Sequence, residues 1–448
     1  MLKRLTGFTL LPLLSLVTPF LLLPVVARVS GSQGWSSFVS GQSVGLVGAT
    51  VVVWGWNVGG PVLVARATGL AGRAEVYAAS LRTRFLLLFG VVPVCAAVSA
   101  VVAVTGHRVD AAVMAAATSL LGLSPAWFGI GVGEPWLLFW YDTLPRVVAA
   151  LVGALLVAVT GAVWSYPVLL ALSVVFSLTL FRRRVTPSVI GSDLTPWPVR
   201  RSAGELSEHL GTAGINLAAT AYASTPVPVV TLAFRPAVSS PFASADAAYR
   251  LGLFTVTALG NAFQGWVLEP DAADRTSRHR LAVLSHVGLG LAGGVAFAAL
   301  GPWVTGLLFG ADVAAPRDVC VWYGLAFLFL SASTPPIRNL LVPAGRVRLV
   351  LAWTLASAVV GLAVMIGAAA TGWGAGVAAG MALSELVLLI GLIAPARRVL
   401  ATPAPPAPPT QPAPPPSSTG LTGLSVPDVS EPGNRQTRES GRGKGEGE

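Results

Sequence analysis

Apolar runs of about twenty residues recur along the chain, each closed by charged or proline-bearing punctuation. A helix rises 1.5 Å per residue, so crossing a hydrocarbon core roughly 30 Å thick takes about 20 such residues. Windows of that length predict helices at 6 to 27, 41 to 65, 85 to 105, 110 to 131, 136 to 160 and 164 to 181. A second set falls at 210 to 233, 247 to 268, 281 to 309, 317 to 341, 347 to 370 and 374 to 396. The opening MLKR precedes an apolar stretch longer than the core of a secretory leader, and further spans follow, so it reads as the first span.

The twelve windows divide into two related sets of six. Each set opens on a proline-loaded span, with Pro12, Pro19 and Pro24 in one and Pro226 and Pro228 in the other, and a bend is expected where proline removes an amide hydrogen bond. Each second span carries an amide in its inner portion, Asn57 ahead of Pro61 and Asn261 with Gln264 ahead of Pro270. Paired broken helices point to moving parts around a central site. The expected organisation is an N-terminal six-helix lobe at 1–181, a linker at 182–209, a C-terminal lobe at 210–398 and a tail at 399–448. Ser202 and Glu205 match a capping box ahead of a short amphipathic linker helix. The tail, ATPAPPAPPTQPAPPPSSTG and a mixed-charge end, cannot bury a core and reads as disordered with polyproline II character.

Composition agrees with a lipid solvent: 54% of the residues are hydrophobic and 11% charged, and mean hydropathy is +0.73. The net charge of +10 raises the question of nucleic acid, but the placement of the basic residues answers it. With the N-terminus in the cytoplasm, 24 of the 29 Lys and Arg fall in inner segments and five, Arg28, Arg108, Arg235, Arg250 and Arg317, in outer ones. That is the positive-inside bias of a multi-pass cell-membrane protein with both termini cytoplasmic, and no nucleic-acid partner is implied. Cys95 and Cys320 fall inside spans, and His107, His209, His279 and His286 lack ligand spacing, so no disulfide, metal or other cofactor is expected. The longest outer loop, between spans seven and eight, has about a dozen residues, too few for an outer domain.

Four stretches then resemble a known family. SPAWFGIGVGEPWLLFWYDTLPR (124 to 146) is similar to the junction of spans four and five in polysaccharide exporters of the multidrug/oligosaccharidyl-lipid/polysaccharide superfamily, the O-antigen and teichoic-acid flippases. GPWVTGLLFGADVAAP (301 to 316) resembles its turn after span nine, GWGAGVAAGMALSELVLL (372 to 389) its Gly-rich start of span twelve, and ADAAYRLGLF (245 to 254) its start of span eight. The resemblance covers residues 1 to 398. It departs at Ala247, where the family usually shows glycine, and in the preceding SSPFASAD, a wordier loop than expected.

The resemblance implies two pseudo-symmetric lobes enclosing a cavity open alternately to each side, with membrane lipids around it and a polyprenyl-pyrophosphate-linked oligosaccharide as substrate. An unpaired hydroxyl in hydrocarbon costs about 4–8 kcal/mol, so a sugar headgroup needs such a route. Arg146 lies about 16 Å into span five if that helix starts near Pro135, and Asp142 one turn earlier is placed to pair with it. Alternatively Pro145 starts the helix and Arg146 is an inner-edge residue. Arg28 and Arg250 are expected at the outer ends of spans one and eight as a cationic rim or as snorkelling loop residues, and Asn57 and Asn261 as polar contacts. Glu385, central in span twelve, is expected to carry a coupling proton, sodium being the other ion considered, or else to make a structural hydrogen bond. Three rivals remain: a multidrug cation antiporter of the same superfamily, a membrane glycosyltransferase or polymerase, and a transport-inactive scaffold gathering polysaccharide-assembly proteins through the tail. The outer acids Asp110, Asp246, Asp312 and Asp318 read as scattered and unpaired, which weighs against an enzyme.

Overall fold

The computed structural model describes residues 2–185, 204, 206–207, 210–267 and 275–401. All regular structure among them is helical. The first half comprises α1 (Leu2–Val53), α2 (Trp56–Arg66), α3 (Gly69–Val102), α4 (Arg108–Ser119), α5 (Ala126–Val132), α6 (Pro135–Leu138), α7 (Leu144–Thr160) and α8 (Ser165–Val185). The second comprises α9 (Leu210–Ser224), α10 (Pro226–Ala233), α11 (Pro236–Val267), α12 (Arg275–Phe309), α13 (Arg317–Pro335), α14 (Val347–Ala370) and α15 (Gly374–Ala401). A 3-10 turn (Leu120–Leu123) joins α4 towards α5, and π-helical turns (Phe139–Thr143 and Pro336–Leu341) lead into α7 and out of α13. Among the described residues, nine helical segments are long and apolar enough to cross a membrane.

Several boundaries correct the hydropathy reading. The third span begins at Gly69 rather than 85, so Arg84, counted as an inner-segment residue, lies inside α3. The eighth begins at Pro236 rather than 247, so SSPFASAD is helix and the long outer loop shrinks to the residues between Ala233 and Pro236. The first two expected spans run together in α1, whose backbone leaves helical geometry at Gly31 (φ 58°), past the first window, and at none of the prolines; that positive-φ conformation is open to glycine. In the seventh, the break falls at Thr225, immediately before Pro226, as the proline pattern predicts. The expected tail begins three residues early, since α15 runs to Ala401, and α8 runs to Val185 into the expected linker; the rest of the linker and tail lies outside the described residues, apart from isolated positions at 204, 206 and 207.

Without water to drive helices together, membrane helices associate through close packing of small residues. Gly294 on α12 and Gly324 on α13 each stand where an added Cβ would come within 2.7 Å of the other's carbonyl oxygen. Gly45 on α1 does the same against the Ala115 carbonyl of α4, at 2.6 Å.

The largest core cluster draws on both halves. Trp35 and Phe38 of α1 meet Phe309 and, on the far side, Tyr166, with Trp35 and Phe309 stacked at 5.4 Å. Around them a serine clasp ties α1 to α11. Trp35 Nε1 donates to Ser244 Oγ at 3.0 Å, Ser239 Oγ to Ser36 Oγ at 3.0 Å, and Ser240 Oγ to the Ser32 carbonyl at 2.6 Å. Arg28 reinforces the same end, its Nη2 donating to the Leu307 carbonyl at 2.6 Å near the C-terminus of α12, where helical carbonyls lack partners and the dipole favours a cation.

Candidate functional site

Beyond the clasp, α1, α2 and α5 part from α9 and α11 around a cavity of about 550 Å³. Three of its walls are places where a helix is interrupted, while Arg250 stands on the unbroken α11. Val53 and Asn57 flank Trp54 and Gly55, both at positive φ (41° and 79°), Gly122 to Ala126 flank the break before Pro125, and Ala223 and Ser224 precede the break at Thr225. Backbone broken within an apolar span is tolerated where it lines a cavity or meets protein partners, and here it lines a cavity. The lining is mostly apolar, with Thr50, Asn57, Ser124, Thr220 and Ser224 as polar points and Arg250 as its one charged residue.

Arg250 is held on two sides. Its Nε lies 2.5 Å from Asp246 Oδ2, and its Nη2 donates to the Ala223 carbonyl at 2.8 Å. Asp246 is buried, and its other oxygen accepts the Tyr323 hydroxyl at 2.9 Å. Arg250 is therefore a cavity residue halfway along α11, neither loop nor outer rim, and Asp246, expected to be an unpaired outer acid, is its counter-ion. The missed signal was the spacing: Asp246 precedes Arg250 by four residues, as Asp142 precedes Arg146.

On the opposite wall, Ser124 lines the cavity and donates its hydroxyl to Asp142 Oδ1 at 2.5 Å. The other Asp142 oxygen pairs with Arg146 Nη2, and Arg146 Nε donates to the Asp142 carbonyl at 3.0 Å. Helical structure runs from Pro135 through the π turn into α7, so helix precedes Pro145 and Arg146 stands behind the Asp142 carboxylate. Behind Ser124 sits Arg84, fully buried. It donates to the carbonyls of Gly122 (3.2 Å), Ser124 (3.1 Å) and Ser80 (3.2 Å) and to Ser80 Oγ (2.6 Å), with the Trp127 ring 5.7 Å from its guanidinium carbon. Hydropathy could not reveal this residue, because its charge lies at the edge of an apolar window.

The remaining expected residues are spread apart. Asn57 faces the cavity and accepts from Asn216 Nδ2 at 3.5 Å. Asn261, further along α11, accepts from Arg338 Nη2 at 2.7 Å, as does Gln264 at 2.9 Å. Glu385 is half-buried on α15 within electrostatic reach of Tyr222 and Tyr249. Arg28 lies at the clasped end, away from the cavity lining. His286 is buried with Nδ1 2.8 Å from the Ala282 carbonyl of its own helix, and Cys95 and Cys320 are buried thiols. A groove of about 590 Å³ between α7 and α8, walled by residues such as Trp140, Leu144, Val148 and Phe176, is larger but aliphatic and aromatic, suited to lipid rather than to a headgroup.

Comparison with solved structures places this architecture. The chain resembles "Lipid II flippase MurJ, inward closed conformation" with a TM-score of 0.68 at 10% identity, covering 89% of this chain and 88% of that one. It resembles an inward-facing multidrug resistance MATE family transporter of the MOP superfamily with a TM-score of 0.58 at 16% identity, covering 86% and 94%. The eukaryotic MATE transporter AtDTX14 aligns with a TM-score of 0.52 at 16% identity, covering 90% and 96%. The chain thus has the helical fold of these transporters. No protein-family profile and no curated protein sequence matches it.

Proposed function

We propose that this chain is an alternating-access transporter that flips a polyprenyl-pyrophosphate-linked oligosaccharide across the cell membrane. In this reading its helices form twelve spans in two six-helix lobes, with both termini cytoplasmic, and it is not an enzyme. The observation that carries the proposal is the cavity between the halves, with a cation, Arg250, as its one charged lining residue. A diphosphate needs a cationic fork, which guanidinium supplies bidentately. Serine, threonine and asparagine points on an otherwise apolar wall suit sugar hydroxyls, while the lipid chain stays in the bilayer. The fold likeness to a protein named a lipid II flippase supports the same substrate class. The likeness to multidrug transporters supports the second reading, a cation antiporter, but amphipathic cations call for an acidic cavity, and here Asp142 and Asp246 are already engaged by Arg146 and Arg250.

In this mechanism Asp246 and Tyr323 hold the Arg250 fork in place, Ser124 and Asp142 hold Arg146 at the opposite wall, and Glu385 carries the coupling ion. The tail, 399–448, is the segment through which polysaccharide-assembly proteins would be met. The test is reconstitution into vesicles carrying a fluorescent polyprenyl-diphosphate oligosaccharide, with a membrane-impermeant quencher reading its leaflet. Protein-dependent transfer is expected. A chain that leaves this lipid in place but moves amphipathic cationic dyes is an antiporter, and the proposal falls.

A further inference from the structure

We infer that Arg338, cradled by Asn261 and Gln264, is a second binding station for a diphosphate group, on the same face of α11 as Arg250 and about 16 Å along it. The inference rests on the transport reading above, whose substrate carries that group. Eleven residues separate Arg250 from Asn261, and at 100° per residue they return to within about 20° of the same face. Thr257, exposed, lies between them on that face, and Gln264 continues it. A polar stripe therefore leaves the cavity at Arg250 and ends at Arg338, away from the serine clasp.

What sets Arg338 apart from Arg146 and Arg250 is the nature of its partners. Arg146 and Arg250 are each bound to a carboxylate, which offsets part of their charge. Among the described residues, the side-chain acceptors of Arg338 are two neutral amides, both taking hydrogens from Nη2. The amides fix the guanidinium without cancelling its charge, and among the described residues its other nitrogens have no side-chain acceptor, so they can meet an anion. An added Cβ at Gly260 would lie 2.8 Å from Nη1, so the helix surface is kept bare where the fork lies across it. Arg338 itself projects from the π turn that begins at Pro336, just after Pro335, which swings it out of the regular α13 register. Arg278 brings a second guanidinium to the same end of α11, donating to the Trp266 carbonyl at 2.6 Å with its charge 4.9 Å from the Trp266 ring centre.

The test uses the full chain in neutral phosphatidylcholine nanodiscs, titrated with farnesyl diphosphate and, as control, farnesol. Wild type is expected to bind two equivalents of the diphosphate and Arg338→Gln one. Asn261→Asp is nearly isosteric but hands Arg338 a carboxylate, so it keeps the fold and is expected to lose the same equivalent, with at least tenfold weaker binding there. If both variants bind as wild type, the station does not exist. Wild type binding one equivalent, lost only in Arg250→Gln, overturns the station and leaves the transport reading standing; wild type binding none overturns both. Repeating the titration with phosphatidylglycerol in the disc separates the sources of phosphate: the second equivalent is expected to persist. Its abolition would mean that bulk lipid headgroups occupy Arg338, against the proposal.

Discussion

The Asp246 carboxylate lies 2.5 Å from Arg250 Nε and at the same time accepts the Tyr323 hydroxyl at 2.9 Å, so one buried acid fixes both the cavity's cation and the helix behind it. Removing one member of a buried ion pair costs about 3–5 kcal/mol, because the other charge stays behind uncompensated. Arg250 keeps some solvent contact, its side chain 28% exposed, which puts the cost of Asp246→Asn near the low end, about 3 kcal/mol. The double variant Asp246→Asn/Arg250→Gln removes both charges and is expected to be more stable than Asp246→Asn alone. Thermal unfolding in detergent of the four corners of this cycle measures the coupling; additive losses would mean that the pair contributes nothing.

Across the cavity, Arg146 is expected to matter for transport more than for folding. With Asp142 also held by Ser124, Arg146→Ala leaves the acid partly satisfied, and the protein should still insert at wild-type levels. Cells carrying it should accumulate lipid-linked oligosaccharide on the cytoplasmic leaflet. Ser124→Ala removes one hydrogen bond to a charged group, about 1.5–3 kcal/mol, and should slow export less than Arg146→Ala does. Normal export by Arg146→Ala would remove that residue from the mechanism.

Arg84 makes a different prediction. Its guanidinium closes the carbonyls of Gly122, inside the 3-10 turn, and Ser124, just after it and before Pro125. Arg84→Met fills the space but leaves two carbonyls buried without donors, at about 1–3 kcal/mol each. Arg84→Lys restores a charge but only a point donor, and should recover part of the loss. The readout is thermal stability together with tryptophan emission, since Trp127 lies beneath the guanidinium; unchanged emission and stability in Arg84→Met would show that the break holds without it.

These residues also mark how far hydropathy could see. Windows at 110 to 131, 136 to 160, 317 to 341 and 347 to 370 coincide closely with helical segments, because there the apolar run and the membrane-crossing length are the same thing. The reading failed at the starts of spans three and eight. A window method charges each arginine, serine and aspartate its full cost of leaving water, whereas Arg84 is satisfied by neighbouring carbonyls and Ser239, Ser240 and Ser244 by α1 and by their own helix. Polar residues that complete one another across helices thus look like loop. The Asp142–Arg146 pair was legible because both partners sit on one helix at the favoured spacing; Asp246–Arg250 shares that spacing but was hidden by placing Asp246 in a loop. Arg338 reaching Asn261 and Gln264 was not legible at all, since it depends on a π turn that no residue pattern announces.

The serine clasp gives the most direct test of alternation. Ser36 Oγ and Ser239 Oγ stand 3.0 Å apart at the end where α1 and α11 meet, while the cavity begins beyond it. If the halves exchange access, these hydroxyls must separate once per cycle, and their bonds suit that purpose: serine-to-serine contacts are individually worth about 0.5–1.5 kcal/mol, enough to hold a closed state in aggregate and little enough to release it. Ser36→Cys/Ser239→Cys should transport normally when reduced and crosslink under mild oxidation, since sulfur atoms replacing the two oxygens fall close together. Oxidation should then stop transfer of the fluorescent lipid-linked oligosaccharide, leave binding of farnesyl diphosphate intact, and be reversed by a reductant. Transport that continues at the same rate in the fully crosslinked protein would mean that this end never opens, and that the substrate leaves by another route.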